Sequence, residues 1–86
     1  MADYAITFAR SARRELEALN HALSARILER IESLAQQPRP PGARKLHVEQ
    51  QLWRIRVGDY RVVYSVDDRQ RVVDVVRVRH RREVYR

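Results

Sequence analysis

The chain is expected to fold as a single α+β domain over residues 1–86. A strand, a two-helix hairpin and an antiparallel meander follow one another, with the helices packed on one face of a small twisted sheet. Three observations predict this. Apolar residues alternate at period two in residues 3–8, recur at helical spacing from Ala12 to Leu34, and return to period two from Trp53 to Val78. At 86 residues the chain holds one core, just above the size at which a domain usually needs a disulfide or a metal.

In the first strand Tyr4, Ile6 and Phe8 face the core against Asp3, Ala5 and Thr7. Ser11 is placed to cap the helix that follows, whose apolar positions Ala12, Leu16 and Leu19 oppose Arg13, Arg14, Glu15 and Glu17. Asn20-His21 interrupts the pattern. A second helix then carries Leu23, Ile27, Ile31 and Leu34 on one stripe, widened by Leu28. It is expected to stop near Gln37, because Pro38, Pro40 and Pro41 lack the amide donor a helix needs and bias their predecessors away from helical angles.

The meander has three strands. Gly58-Asp59 fits a two-residue type II′ loop with glycine at its first central position. Pairing Val57 with Tyr60 sets Arg56 opposite Arg61, Ile55 opposite Val62, Arg54 opposite Val63 and Trp53 opposite Tyr64. Trp53, Ile55, Val62 and Tyr64 then share the core face, and Arg54, Arg56 and Arg61 share the other. Like charges directly opposed across a ladder destabilise a sheet by roughly 0.2–1 kcal/mol. The Arg56–Arg61 pairing therefore points to an anion held between them. The next turn, within 67–71, has two readings. A five-residue loop sets Arg77 opposite Arg61 and turns Asp74 toward the core, and a four-residue loop reverses that face.

The formal net charge is +7, and it is unevenly placed. Residues 1–43 hold six arginines against five acids, whereas residues 44–86 hold eleven arginines and Lys45 against six acids. Lys45 is the one lysine among 18 basic residues, and the planar guanidinium fork suits bidentate phosphate contacts. The chain has no cysteine and three dispersed histidines, which leaves no disulfide framework and no Cys-rich metal site and suits a reducing cytosol. No stretch approaches the ~20 apolar residues of a membrane span. A cytoplasmic protein without metal, cofactor or membrane association is expected.

The segments Trp53-Arg54-Ile55-Arg56, Gly58-Asp59-Tyr60-Arg61-Val62-Val63-Tyr64 and His80-Arg81-Arg82-Glu83-Val84-Tyr85 together resemble the RelE family of toxin endoribonucleases, within the RelE/ParE superfamily of bacterial toxin–antitoxin systems. The first strand, the helical pair and Lys45-Leu46 extend the resemblance over nearly the whole chain. It implies a RelE-like fold and a ribosome-dependent ribonuclease that cuts mRNA in the ribosomal A site and is held inactive by a cognate antitoxin. It also implies roles by position. Arg61 and Arg81 match the family's paired arginines, Arg54 and Arg56 fall where well-known members have lysines, and Tyr85 falls at the catalytic tyrosine. His80 and Lys45 are secondary candidates. The link from Arg81 to Tyr85 is two residues shorter than in those members.

The chemistry constrains these roles further. Attack by a ribose 2′-hydroxyl on the adjacent phosphate needs a base, donors around the phosphorane, and protonation of the departing 5′ oxygen. Arg56, Arg61 and Arg81 suit the donor role. Arginine is a poor base, with a pKa above 12, so Tyr85 is the preferred base, with Arg54 or His80 assisting the leaving group. Plainer roles go to Tyr60, Tyr64 and Trp53 as core aromatics, Asp59 as a turn residue, Arg69 and Arg71 as solvated turn residues, and Arg77 and Arg79 as contacts to the rRNA backbone or partners of nearby acids. Two other functions stand beside the nuclease: a ParE-like inhibitor of DNA gyrase, and a non-catalytic RNA-binding member.

Overall fold

The computed structural model describes residues 3–47 and 51–81. In chain order the elements are β1 (Ala5–Phe8), α1 (Arg10–Glu17), α2 (His21–Ser33), β2 (Arg44–His47), β3 (Leu52–Val57), β4 (Tyr60–Asp67) and β5 (Val72–His80). The strands form one sheet in the order β1-β5-β4-β3-β2. β1 runs parallel to β5 and the other neighbours are antiparallel. This is the expected α+β class, with one strand more than the sequence pattern indicated. β2 escapes a period-two reading because it is four residues long, is charged at Arg44 and Lys45, and carries an irregularity between Lys45 and His47.

The helices cover the face of the sheet that carries Ile55, Val57, Val62, Tyr64, Val66, Val73, Val75 and Val78, all buried with Ala12, Leu16, Ile27, Ile31 and Leu34. The helical stripe and the strand alternation thus meet in one core. Burial of each such side chain stabilises by roughly 1.5–3 kcal/mol.

The helix boundaries differ from expectation at two points. Ser11 does not cap α1: the N-cap is Ala9, with no side-chain cap, and the Ser11 hydroxyl donates to the Val76 carbonyl at 3.0 Å. Asn20 is the residue that caps, its side chain accepting from the Leu23 amide at 2.8 Å to start α2. α2 also ends at Ser33 rather than near Gln37, since Leu34, Ala35 and Gln36 close onto carbonyls three residues back and tighten the last turn before Pro38.

The β3–β4 register agrees pair for pair with the predicted one, from Val57 with Tyr60 to Trp53 with Tyr64. Gly58 has φ +61°, whereas Asp59 is not among the positive-φ residues, as a type II′ turn requires. Neither loop reading fixes the β4–β5 register on its own. The loop leaves four residues between Asp67 and Val72, and a bulge between Val63 and Tyr64 then shifts the pairing, so that Tyr64 faces Val75 while Val63 faces Arg77 and Arg61 faces Arg79. The burial pattern of β5 records the same event: Val73 and Val75 are buried, and the next buried residue is Val78.

α1 completes the edge of β5 where β1 runs out. β1 ends at Phe8, and the Ala9 amide donates to the Val75 carbonyl at 2.8 Å. The Ser11 hydroxyl takes the Val76 carbonyl at 3.0 Å, and the Glu15 carboxylate accepts from the Val78 amide at 2.7 Å. Ser11 and Glu15 are one helical turn apart, so a single face of α1 supplies both contacts.

Candidate functional site

The face of the sheet away from the helices is lined with arginines. Cross-strand partners point to the same face, so Arg56, Arg61 and Arg79 form one row across β3, β4 and β5. Arg44, Arg54 and Arg77 form a second row with Val63 between the last two. Arg54 and Arg61 are each 8% exposed and are the buried charged residues of the described chain. Taking a charge out of water is costly, and such positions cluster at functional sites.

A cleft of about 100 Å³ opens at the β3–β4 hairpin tip, lined by Arg56, Gly58, Asp59, Tyr60, Arg61 and Arg81. Sequence adjacency supplies four of these and the hairpin register supplies Arg56. Arg81 arrives because its backbone amide donates to the Asp59 carbonyl at 2.8 Å, fastening the end of β5 to the turn. The close approach of three guanidinium-bearing residues to one small concavity is a suitable arrangement for an anion with several acceptor oxygens.

Of the residues singled out in the sequence, Arg56, Arg61 and Arg81 come together at the cleft, and Arg54 lies two residues along β3 on the same face. His80 pairs with Tyr60 and stands edge-on to its ring, with centroids 5.3 Å apart and planes at 86°. The pairing puts His80 on the side of Val57 and Val62, and it is not among the cleft residues. Lys45 pairs with Trp53 on the helix side, its Nζ 5.8 Å from the ring centroid, so the sheet separates it from the arginine face. Tyr85 lies outside the described residues.

Two features of the cleft and the arginine face escaped the sequence reading. Tyr60 packs against the core cluster as its parity predicts, yet it also lines the cleft, because it sits at the hairpin tip where a side chain is reached from the end of the sheet. Arg44 joins the arginine rows because β2 was not foreseen as a strand. Tyr64 is the core aromatic expected: it is fully buried, donates to the Pro38 carbonyl at 2.7 Å, and burial pushes its phenol up to about 12. Trp53 likewise serves packing, with the Arg39 guanidinium 5.3 Å from its centroid. Arg39 in turn holds Asp68 through two bonds of 2.8 and 3.2 Å, and Tyr4 donates to the same carboxylate at 2.6 Å. Those two partners hold the Asp68 carboxyl below its ordinary value, the Arg39 bond contributing most. This cluster ties the proline segment to the β4–β5 turn.

The arginines of β5 are tethered. Glu15 accepts from Arg79 Nε at 2.7 Å, and Arg77 Nη1 lies 4.0 Å from the same carboxylate oxygen. Of the two roles open to Arg77 and Arg79, the balancing of an acid is present in the structure.

The family model of the ParE toxin of type II toxin–antitoxin systems matches residues 6–85. The chain is 31% identical over 84 residues to Toxin RelG of Mycobacterium tuberculosis, covering 96% of this chain and 97% of that protein. Among solved structures, the archaeal RelE–RelB complex from Pyrococcus horikoshii is similar at a TM-score of 0.82 and 30% identity, over 92% of this chain and 96% of the other. The RelBE2 toxin–antitoxin complex from Mycobacterium tuberculosis gives a TM-score of 0.79 at 30% identity, over 91% and 98%.

Proposed function

Because the chain belongs to the RelE/ParE superfamily of type II toxins, we propose that it is a ribosome-dependent mRNA endoribonuclease restrained by a cognate antitoxin. The observation that carries this reading is the gathering of Arg56, Arg61 and Arg81 around one cleft, backed by buried Arg54 on the same face. A phosphodiester is the anion whose geometry that set fits. The solved relatives that are toxin–antitoxin complexes support the antitoxin, and the arginine face would attract an acidic segment of it.

In the proposed reaction the ribose 2′-oxygen attacks the adjacent phosphorus as its proton passes to a base. The 5′ oxygen of the next nucleotide departs with a proton, leaving a 2′,3′-cyclic phosphate. Arg56, Arg61 and Arg81 stabilise the extra negative charge of the phosphorane. Tyr85 is the proposed base, a role that requires guanidinium groups near enough to acidify its phenol. Three residues lie between it and Arg81, and the four steps of that tether span at most about 14 Å when extended. Arg54, on the cleft's own face, is better placed than His80 to assist the leaving oxygen. With no histidine pair at the cleft, the site acts mainly through electrostatics and depends on the ribosome to align the message.

The match to the ParE family model favours one second reading, inhibition of DNA gyrase by protein binding. A translation reaction analysed by primer extension separates the two. Cuts positioned by codon are expected, whereas gyrase-dependent DNA breaks without such cuts would transfer the chain to the gyrase reading. Salt-sensitive RNA binding without either activity would make it a non-catalytic RNA binder.

A further inference from the structure

Glu15 divides its two carboxylate oxygens between two tasks. One accepts from the Val78 amide and covers the edge of β5; the other accepts from Arg79 Nε and lies 4.0 Å from Arg77 Nη1. Arg79 faces Arg61 across the ladder and Arg77 faces Val63, so both belong to the arginine face that begins at the cleft. The Arg79 side chain is 35% exposed and the Arg77 side chain 50%, against 22% for Glu15, so both arginines are accessible to an incoming anion.

We propose that Arg77 and Arg79 form a second phosphate subsite, and that the Glu15 carboxylate fills it as an internal anion which a backbone phosphate of a longer RNA strand displaces. The proposal rests on the RNA-cleaving reading and extends it from one scissile phosphate to the path of the strand. A carboxylate on a guanidinium occupies the directions that phosphate oxygens take. Displacement leaves the bond from the Val78 amide to the other carboxylate oxygen in place, so the sheet edge stays satisfied while the arginines change partner. Neighbouring strands lie about 4.8 Å apart, which sets Arg79 one strand beyond Arg61 and makes the row Arg56, Arg61, Arg79 continuous with the cleft. The device makes affinity depend on strand length: a fragment with one phosphate is held by the cleft alone, and a longer strand gains the β5 subsite only by displacing Glu15.

The test is oligonucleotide binding to the full chain, using a 2′-O-methyl dinucleotide with one phosphodiester and a 2′-O-methyl nonanucleotide, neither of which can be cleaved. Glu15→Gln keeps an oxygen for the Val78 amide and removes the charge. It is expected to bind the nonanucleotide several-fold more tightly, with a salt slope steeper by about 0.7 for each further counterion released, and the dinucleotide unchanged. The double variant Arg77→Gln/Arg79→Gln, with Glu15 in place, is expected to lose the nonanucleotide's advantage while holding the dinucleotide, and carries the test if Glu15→Gln does not fold. Equal tightening of both oligonucleotides by Glu15→Gln, or of neither, would overturn the subsite. So would a double variant that retains the nonanucleotide's advantage. If Arg61→Ala abolishes dinucleotide binding in either case, the RNA reading stands and only the subsite falls. If the unaltered chain binds neither oligonucleotide, both fall.

Discussion

Arg61 is a cation nearly out of water on the sheet face opposite α1 and α2, placed between Arg56 and Arg79. Its charge and its fork of donors suit a phosphate, and substitution tests that use. Arg61→Ala is expected to lower RNA cleavage by about 100- to 1000-fold, the usual effect of removing one donor to a developing oxyanion, in protein that calorimetry shows to be folded. Cleavage and calorimetry on the same preparation check this. Tyr64 shows the reverse balance. Its phenol is raised to about 12 by burial, so the neutral form belongs to the folded state. The stability this provides is complete below the unfolded value near 10 and is lost as pH rises through about 12. Denaturant unfolding across that window should show a fall that Tyr64→Phe reduces. The arginines and Tyr64 were legible in the sequence because β3–β4 alternation fixes their faces. The double position of Tyr60 was not, since parity describes the two faces of a sheet and is silent about its end.

The hairpin of β3 and β4 is the element on which the site depends, and Gly58 is its most exposed point of failure. A Cβ added there meets only the Arg26 guanidinium, with both nitrogens at 4.0 Å, so space is no obstacle. The cost is conformational: at φ +61° an alanine should destabilise by about 1–2 kcal/mol, and a chemical denaturation curve of Gly58→Ala measures it. Ser11→Ala should cost about 0.5–1.5 kcal/mol through the lost bond to the Val76 carbonyl, loosening α1 from β5, and the same measurement applies. The hairpin register could be read in advance because a two-residue loop leaves one consistent pairing. The β5 register could not, because a bulge adds a residue that neither loop length nor alternation announces until burial is known. β2 was hidden for a related reason: its residues are Arg44, Lys45, Leu46 and His47, and what makes them a strand is the β3 edge they pair with. The loss of the expected Ser11 cap was likewise decided by packing, which drew the Ser11 hydroxyl to β5.

Across the whole molecule, Arg44, Arg54, Arg56, Arg61, Arg77 and Arg79 from the basic half of the chain come to one surface, because β2 to β5 carry them on the face opposite the helices. RNA binding should therefore weaken steeply with salt, with a slope near 0.7 per phosphate neutralised on a single strand, which a titration at several salt concentrations reads directly. If the chain is the proposed toxin, expression without its antitoxin is expected to arrest growth, which a growth curve after induction reads. The central claim is that guanidinium groups from β3, β4 and the end of β5, with a phenol supplied from beyond Arg81, act on one phosphodiester. Its most direct test is primer extension on a translated message, comparing the unaltered chain with Arg61→Ala and Tyr85→Phe, each verified to bind antitoxin. The account predicts codon-positioned cuts that both substitutions abolish while antitoxin binding persists; undiminished cutting by either variant would contradict it.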